Sequence, residues 1–184
     1  MNKKRITILV LGVGVLVCST LFFYLHDQPR QPDVATVGGE EVGDNLPLGK
    51  KQYTHPSYLF SFYVSEEVQI ESRYEAGGAE TVVFTTPGTD PVQDFQLYIV
   101  PYSGSTITSS QIIKDTHGRA VTEPIEVVLG SGIRGIIFET EDPTLGRLRE
   151  VWFLMNGHLY EATTHIAHEA WLAGILDTLE PNRP

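Results

Sequence analysis

Cysteine is almost absent: Cys18 is the single one in the chain. A disulfide framework and thiol chemistry are therefore excluded from everything downstream, and packing must hold the fold. Cys18 itself follows bulky Val17 and is followed by the apolar Leu21–Leu25, which fits a membrane-embedded residue better than a lipidation site. Positive charge is also scarce, with 13 Lys and Arg against 23 Asp and Glu and a formal net charge of -10. Three of those cations, Lys3, Lys4 and Arg5, stand at the extreme N-terminus, so the remainder is more acidic still. Such a surface repels phosphate backbones and anionic lipid headgroups, which argues against nucleic acid as a partner and leaves a cationic partner or plain solubility as its role. No GxSxG nucleophile elbow and no internal repeat is present.

What the chain does have is one long apolar run. Ile6–Leu25 is uncharged over about 20 residues, about 30 Å as a helix and enough to cross a bilayer core. The basic stub 1–5 ahead of it places the N-terminus in the cytoplasm. An Ala-x-Ala cleavage site is missing, which favours a retained transmembrane anchor over a signal peptide. Residues 26–51 carry Pro and Gly without hydrophobic periodicity and form a flexible linker. Residues 52–184 are left as one extracytoplasmic globular domain at the cell membrane, of ordinary domain size.

Within that domain, apolar residues alternate along Phe60, Phe62 and Val64, Val82 and Phe84, Phe95, Leu97 and Ile99, and Ile125, Val127 and Leu129. Further strand-like segments span 133–139, 148–155 and 158–164, for about seven or eight strands. Asn156-Gly157 supplies the two positive-φ positions of a tight hairpin turn, and Gly130-Ser131-Gly132 a second turn. Two helices are expected. One spans Thr108 to Lys114 with Thr106 or Thr108 as its N-cap; the other spans Ala167 to Leu179, with Trp171, Leu172, Ile175, Leu176 and Leu179 on one face and Pro181 ending it. The fold class is α+β, an antiparallel sheet of about seven strands covered by helices, preceded by one N-terminal transmembrane helix.

The opening segment Tyr53–Phe62, the segment Trp152–Glu161 and the closing amphipathic helix resemble the PsbP/Mog1-like family. The resemblance spans about Gln52 to Pro181 and rests on hydrophobic patterns rather than reactive residues. It implies an α/β/α sandwich and a non-catalytic, protein-binding scaffold, in a family whose bacterial members are often membrane-tethered. It carries over no binding residues, and at Val64-Ser65 the chain lacks the Pro that commonly follows the first strand.

Several motifs have residues that could carry chemistry. Gly130-Ser131-Gly132-Ile133-Arg134-Gly135 matches GxGxxG, but a strand follows where a dinucleotide site needs a helix, so a turn is the better reading. His165, His168 and Glu169 are the candidate metal ligands; their spacing is not the i, i+4 pair of a helical zinc motif. Glu139, Glu141 and Asp142 before Pro143, and Glu66-Glu67, read as solvated turn charge, since acid/base pairs must face each other across a cleft. Tyr98 and Tyr102 alternate away from Phe95, Leu97 and Ile99 and are the candidate contact residues. No cofactor is implied. The sequence thus points to a membrane-tethered binding module with a protein partner rather than an enzyme, the alternative being an extracytoplasmic metal-dependent hydrolase using His165 and His168.

Overall fold

The computed structural model describes residues 48–88 and 93–182. The expected anchor at 6–25 and most of the expected linker lie outside these residues; among those described, no helix is long and apolar enough to cross a membrane. Strands β1 (Lys50–Thr54), β2 (Phe60–Ser65), β3 (Gln69–Tyr74), β4 (Glu80–Thr86) and β5 (Gln93–Pro101) come first. Helix α1 (Ser109–Asp115) follows, then β6 (Ile125–Val128), β7 (Arg134–Asp142), β8 (Gly146–Met155) and β9 (His158–His165), helix α2 (Glu169–Leu176) and the two-residue β10 (Glu180–Pro181). Seven strands make one antiparallel sheet in the order β3-β4-β5-β9-β8-β7-β6, and three make a second in the order β1-β2-β10.

Alternation places two different cores on the two faces of the large sheet. Val82, Phe84, Phe95, Leu97, Ile99, Tyr160, Ala162, Val151 and Phe153 point to one side, where Phe60, Phe62 and Val64 of β2 and Leu172, Ile175 and Leu176 of α2 meet them. Offset and edge-on ring pairs knit this layer, Phe84 on Phe95 at 4.3 Å and Phe153 on Tyr160 at 4.9 Å between centroids. Each pair is worth about 0.5–1.5 kcal/mol beyond the area it buries. On the other side Phe138, Trp152 and Leu159 are capped by Ile112, the buried side chain of α1.

The two helices therefore lie on opposite faces, as an α/β/α arrangement requires. The layer over the first core differs from the expectation, because α2 shares it with the small β1-β2-β10 sheet. The first strand also begins at Lys50, inside the stretch expected to be linker, with Lys50 and Lys51 opposite Ser65 and Val64. Helix α1 matches closely, and its Thr108 caps it by accepting from the Gln111 amide at 3.2 Å. Helix α2 is shorter than the apolar stripe suggested. His165 Nδ1 accepts the Ala167 amide at 3.2 Å and starts a 3-10 turn over Ile166–His168, and i, i+3 bonds to Ile175 and Leu176 tighten the chain after it. The Asn156-Gly157 turn has φ of 51° and 74°, the left-handed pair the hairpin needs.

Candidate functional site

Two rows of side chains on the outer face of the large sheet break the hydrophobic pattern. Glu150 stands in phase with Trp152 on β8, and Glu161 in phase with Leu159 on β9; across the ladder Glu150 faces Thr163 and Glu161 faces Trp152. Both carboxyls are thereby carried inward, beneath the C-terminal end of α1. Glu150 is 2% exposed, and burial of this kind is tolerated only with full hydrogen bonding. It accepts from Thr140 at 3.0 Å, from Thr163 at 2.6 Å and from the Trp152 indole at 3.3 Å.

Glu161 is treated differently. Its Oε1 is buried and meets no hydrogen-bond donor among the described residues. Burial, reinforced by the Asp115 and Glu150 carboxyls and by a hydrogen bond with Asp115, pushes its pKa up to about 9, against the weaker pull of Arg119. Glu161 is accordingly a neutral acid at pH 7. Arg119, held by its own Nε on the Thr116 carbonyl at 3.1 Å, lies 3.8 Å from Asp142 and 4.0 Å from Glu150. Gln111 donates to Asp115 from one turn earlier on α1. The result is a carboxyl seam at the edge of α1, with the proton on Glu161.

A depression of about 190 Å³ is lined by Ala120, Val121, Thr122, Glu139, Thr140, Glu141 and Arg147. Its lining does not include Asp115, Glu150 or Glu161. The seam thus has the acidity of a general acid but is not placed on the wall of that depression.

A second buried pair lies under the β1–β2 loop. His55 and Glu80 are 1% and 0% exposed, with Nε2 to Oε1 at 3.3 Å. Nδ1 accepts the amides of Ser57 and Tyr58 at 3.1 and 3.2 Å, so the ring proton belongs on Nε2 and is donated to Glu80. Burial lowers the His55 pKa, outweighing the opposite pull of Glu80. Tyr58 and Phe60 pack on the ring at 4.6 and 5.2 Å.

No protein-family model matches this chain, and no curated protein matches it. Solved structures do resemble it. The solution structure of cyanobacterial PsbP (CyanoP) from Synechocystis sp. PCC 6803 aligns with 10% sequence identity and a TM-score of 0.49, covering 77% of this chain and 98% of that one.

The residues singled out from sequence fall in several places. His165 and His168 are neighbours, with ring centroids 6.1 Å apart, and both lie near Asp94, whose pKa burial raises against their pull. Glu169 is drawn away from them by Arg149, whose Nε donates to it at 2.8 Å. Among the described residues no group of three or more His, Cys, Asp or Glu is arranged to hold a metal ion. Glu139, Glu141 and Asp142 are not turn residues: they end β7, and Arg147 and Arg149 clamp Glu139 and hold its pKa below the usual carboxylate range.

Tyr102 folds back, donating to the Thr106 carbonyl at 2.9 Å and packing on the second core. Tyr98 remains half-exposed on the outer face of β5, between Thr81 of β4 and Glu161 of β9. Helix α1 lies over Phe138, Trp152 and Leu159 and reaches Glu161, the β9 neighbour of Tyr98, through Asp115. Arg73 and Val83 are half-exposed and Gln96 is exposed on this same stretch.

Proposed function

We propose that the protein is a membrane-tethered binding module on the extracytoplasmic side of a bacterial-type membrane, its N-terminus cytoplasmic, acting by surface contact with a protein partner and not by catalysis. The tethering rests on the uncharged run Ile6–Leu25, the basic stub before it and the Pro- and Gly-bearing stretch behind it. The observation that supports binding is the outer face of β3, β4 and β5. It presents Tyr98 and Val83 beside Arg73 and Gln96 on neighbouring strands, a mixture of aromatic, aliphatic and polar groups of the kind interfaces use. The ionisable groups that meet elsewhere support the non-catalytic reading: Glu150 and Glu139 have their oxygens committed to donors of the chain itself.

Photo-cross-linking tests it. A benzoylphenylalanine replacing Tyr98 in the full-length chain, in its native membrane, yields one dominant protein adduct that the same label at exposed Glu67 does not. Absence of a reproducible adduct from any position on the domain overturns the reading. The topology has its own test: in right-side-out sealed vesicles, a membrane-impermeant maleimide labels a Ser131→Cys chain, and protection of that cysteine refutes an extracytoplasmic domain.

A further inference from the structure

The large sheet ends in two outer strands that the sequence arms differently. β3 lines its edge with Gln69, Glu71, Ser72 and Arg73, and polar or charged side chains of this kind discourage another strand from adding. β6 does not. Ile125 and Val128 are 65% and 69% exposed, Val127 lies between them and the charge on the strand is Glu126 alone. Natural sheets usually suppress an apolar edge because it is a template for a further strand.

The hydrogen-bond phase of β6 fixes what such a strand would meet. The Leu129 amide donates to the Ile133 carbonyl at 2.8 Å, and β6 runs antiparallel to β7 with Val127 opposite Gly135 and Ile125 opposite Ile137. Bonded positions alternate, so residues 125, 127 and 129 turn their amides and carbonyls to β7 while Glu126 and Val128 turn theirs outward. Ile125 and Val127 point to one face of the sheet and Glu126 and Val128 to the other.

We propose that the β6 edge takes up an extended segment of a partner protein as an eighth strand of the sheet, the segment carrying apolar residues opposite Ile125 and Val128 and a lysine or arginine opposite Glu126. This rests on the binding-module reading and gives that module its partner chemistry. Charge complementarity selects the occupant. The chain carries a net charge of -10, Glu126 is the one charge on β6 with Glu123 just before the strand, and Arg134 stands across from Val128 on β7, so a strand with its cation at Glu126 and apolar residues beside Val128 is attracted where a second copy of the chain is repelled.

The probe is a capped peptide of about seven residues with valine opposite Ile125 and Val128, lysine opposite Glu126 and lysine at both ends, compared with the same peptide carrying glutamate for every lysine, each titrated against the full-length chain in nanodiscs. The lysine peptide binds at least about tenfold tighter than the glutamate peptide and shifts the amide resonances of Glu126 and Val128. Glu126→Pro removes an outward amide without touching the β7 ladder, and Ile125→Thr removes apolar area while keeping a β-favouring residue; each weakens binding about tenfold or more.

Equal binding of the two peptides, binding unaffected by both substitutions, or no binding of the lysine peptide at about 1 mM overturns the proposal. So does a dimer of the chain that Glu126→Pro abolishes, since the occupant is then a second copy. A partner cross-linked at Tyr98 that binds the two β6 variants normally refutes the edge while leaving the binding module intact; with no cross-linked partner, the module itself has failed.

Discussion

One imidazole joins the first hairpin to the large sheet: His55 donates from Nε2 to Glu80 of β4 and accepts at Nδ1 from the amides of Ser57 and Tyr58. The ring has no exposed edge, and Glu80 Oε2 has no second donor among the described residues. His55 is therefore the partner on which two backbone amides and a buried carboxyl all depend.

Removing that ring should be costly. His55→Ala orphans the Ser57 and Tyr58 amides and leaves Glu80 buried alone, for an expected loss of about 3 kcal/mol in urea-induced unfolding. His55→Asn, whose side-chain oxygen can take over the two amides, loses less.

Acid sensitivity has an assigned sign. Because burial lowers the His55 pKa in the folded state, the unfolded chain binds the second proton more readily. The stability this site confers is complete above the ordinary histidine range, about 6.5, and drains away as pH falls below it. Glu161 works in the opposite direction over the same interval, so the His55 slope is best measured in a Glu161→Gln background; there the melting temperature falls from pH 6.5 to 5, and His55→Asn flattens that fall.

Glu161 is raised to about 9. Folding therefore holds a proton that the unfolded chain sheds above the normal carboxyl range, and stability declines as pH rises until the folded pKa is passed. Glu161→Gln, which keeps a donor for Asp115, should stabilise the domain at pH 8 by about 1–3 kcal/mol and have little effect at pH 4.5. Thermal melts at the two pH values decide it. Equal effects at both would mean the carboxyl is ionised in the fold.

Two glycines should respond oppositely to alanine. A Cβ on Gly130 would stand 2.5 Å from the Leu179 carbonyl oxygen and 2.6 Å from its nitrogen, backbone that cannot step aside, so Gly130→Ala destabilises by about 2 kcal/mol or more. Gly174 lies inside α2 with nothing within 4 Å of the added atom. Gly174→Ala stabilises by about 0.5–1 kcal/mol. Paired melting curves show both.

The hydrolase alternative has a direct readout. Purified full-length chain should hold no stoichiometric zinc by elemental analysis, since Glu169 is engaged by Arg149. Zinc at one equivalent, lost in His168→Ala, would favour His165 and His168 as ligands instead.

Legibility in the sequence follows burial. β2, β4, β5, β8 and β9 each lay an alternating apolar row against a core, and the Asn156-Gly157 turn announces itself by its chemistry. β1 and β3 are peripheral: of KKQYT Tyr53 alone, and of QIESRY Ile70 alone, pack against the core as hydrophobic side chains. No periodicity can appear where one residue is buried. β10 is two residues whose pairing with β2 is set by tertiary structure. The carboxyl seam did leave a trace, because Glu150 and Glu161 alternate in phase with Trp152 and Leu159, where a charge is out of place. What the sequence does not carry is that α1 brings Asp115 to meet them. The His55 pair was less visible still, its partners lying 25 residues apart with no motif between.

Ser61 of β2 receives the Gln52 side chain from one flank and donates to Asn182 on the other, both at 3.1 Å, so the first and last strands of the domain are fastened to the same central strand. Seen mechanically, a pull arriving from the N-terminal side is borne first by the β1–β2 ladder. If β1 peels away, β2 is still held by β10 and by its own aromatic side chains, and the load passes next to the His55–Glu80 contact. The outermost strand acts as a fuse, yielding several residues of extra reach before the body of the domain is strained.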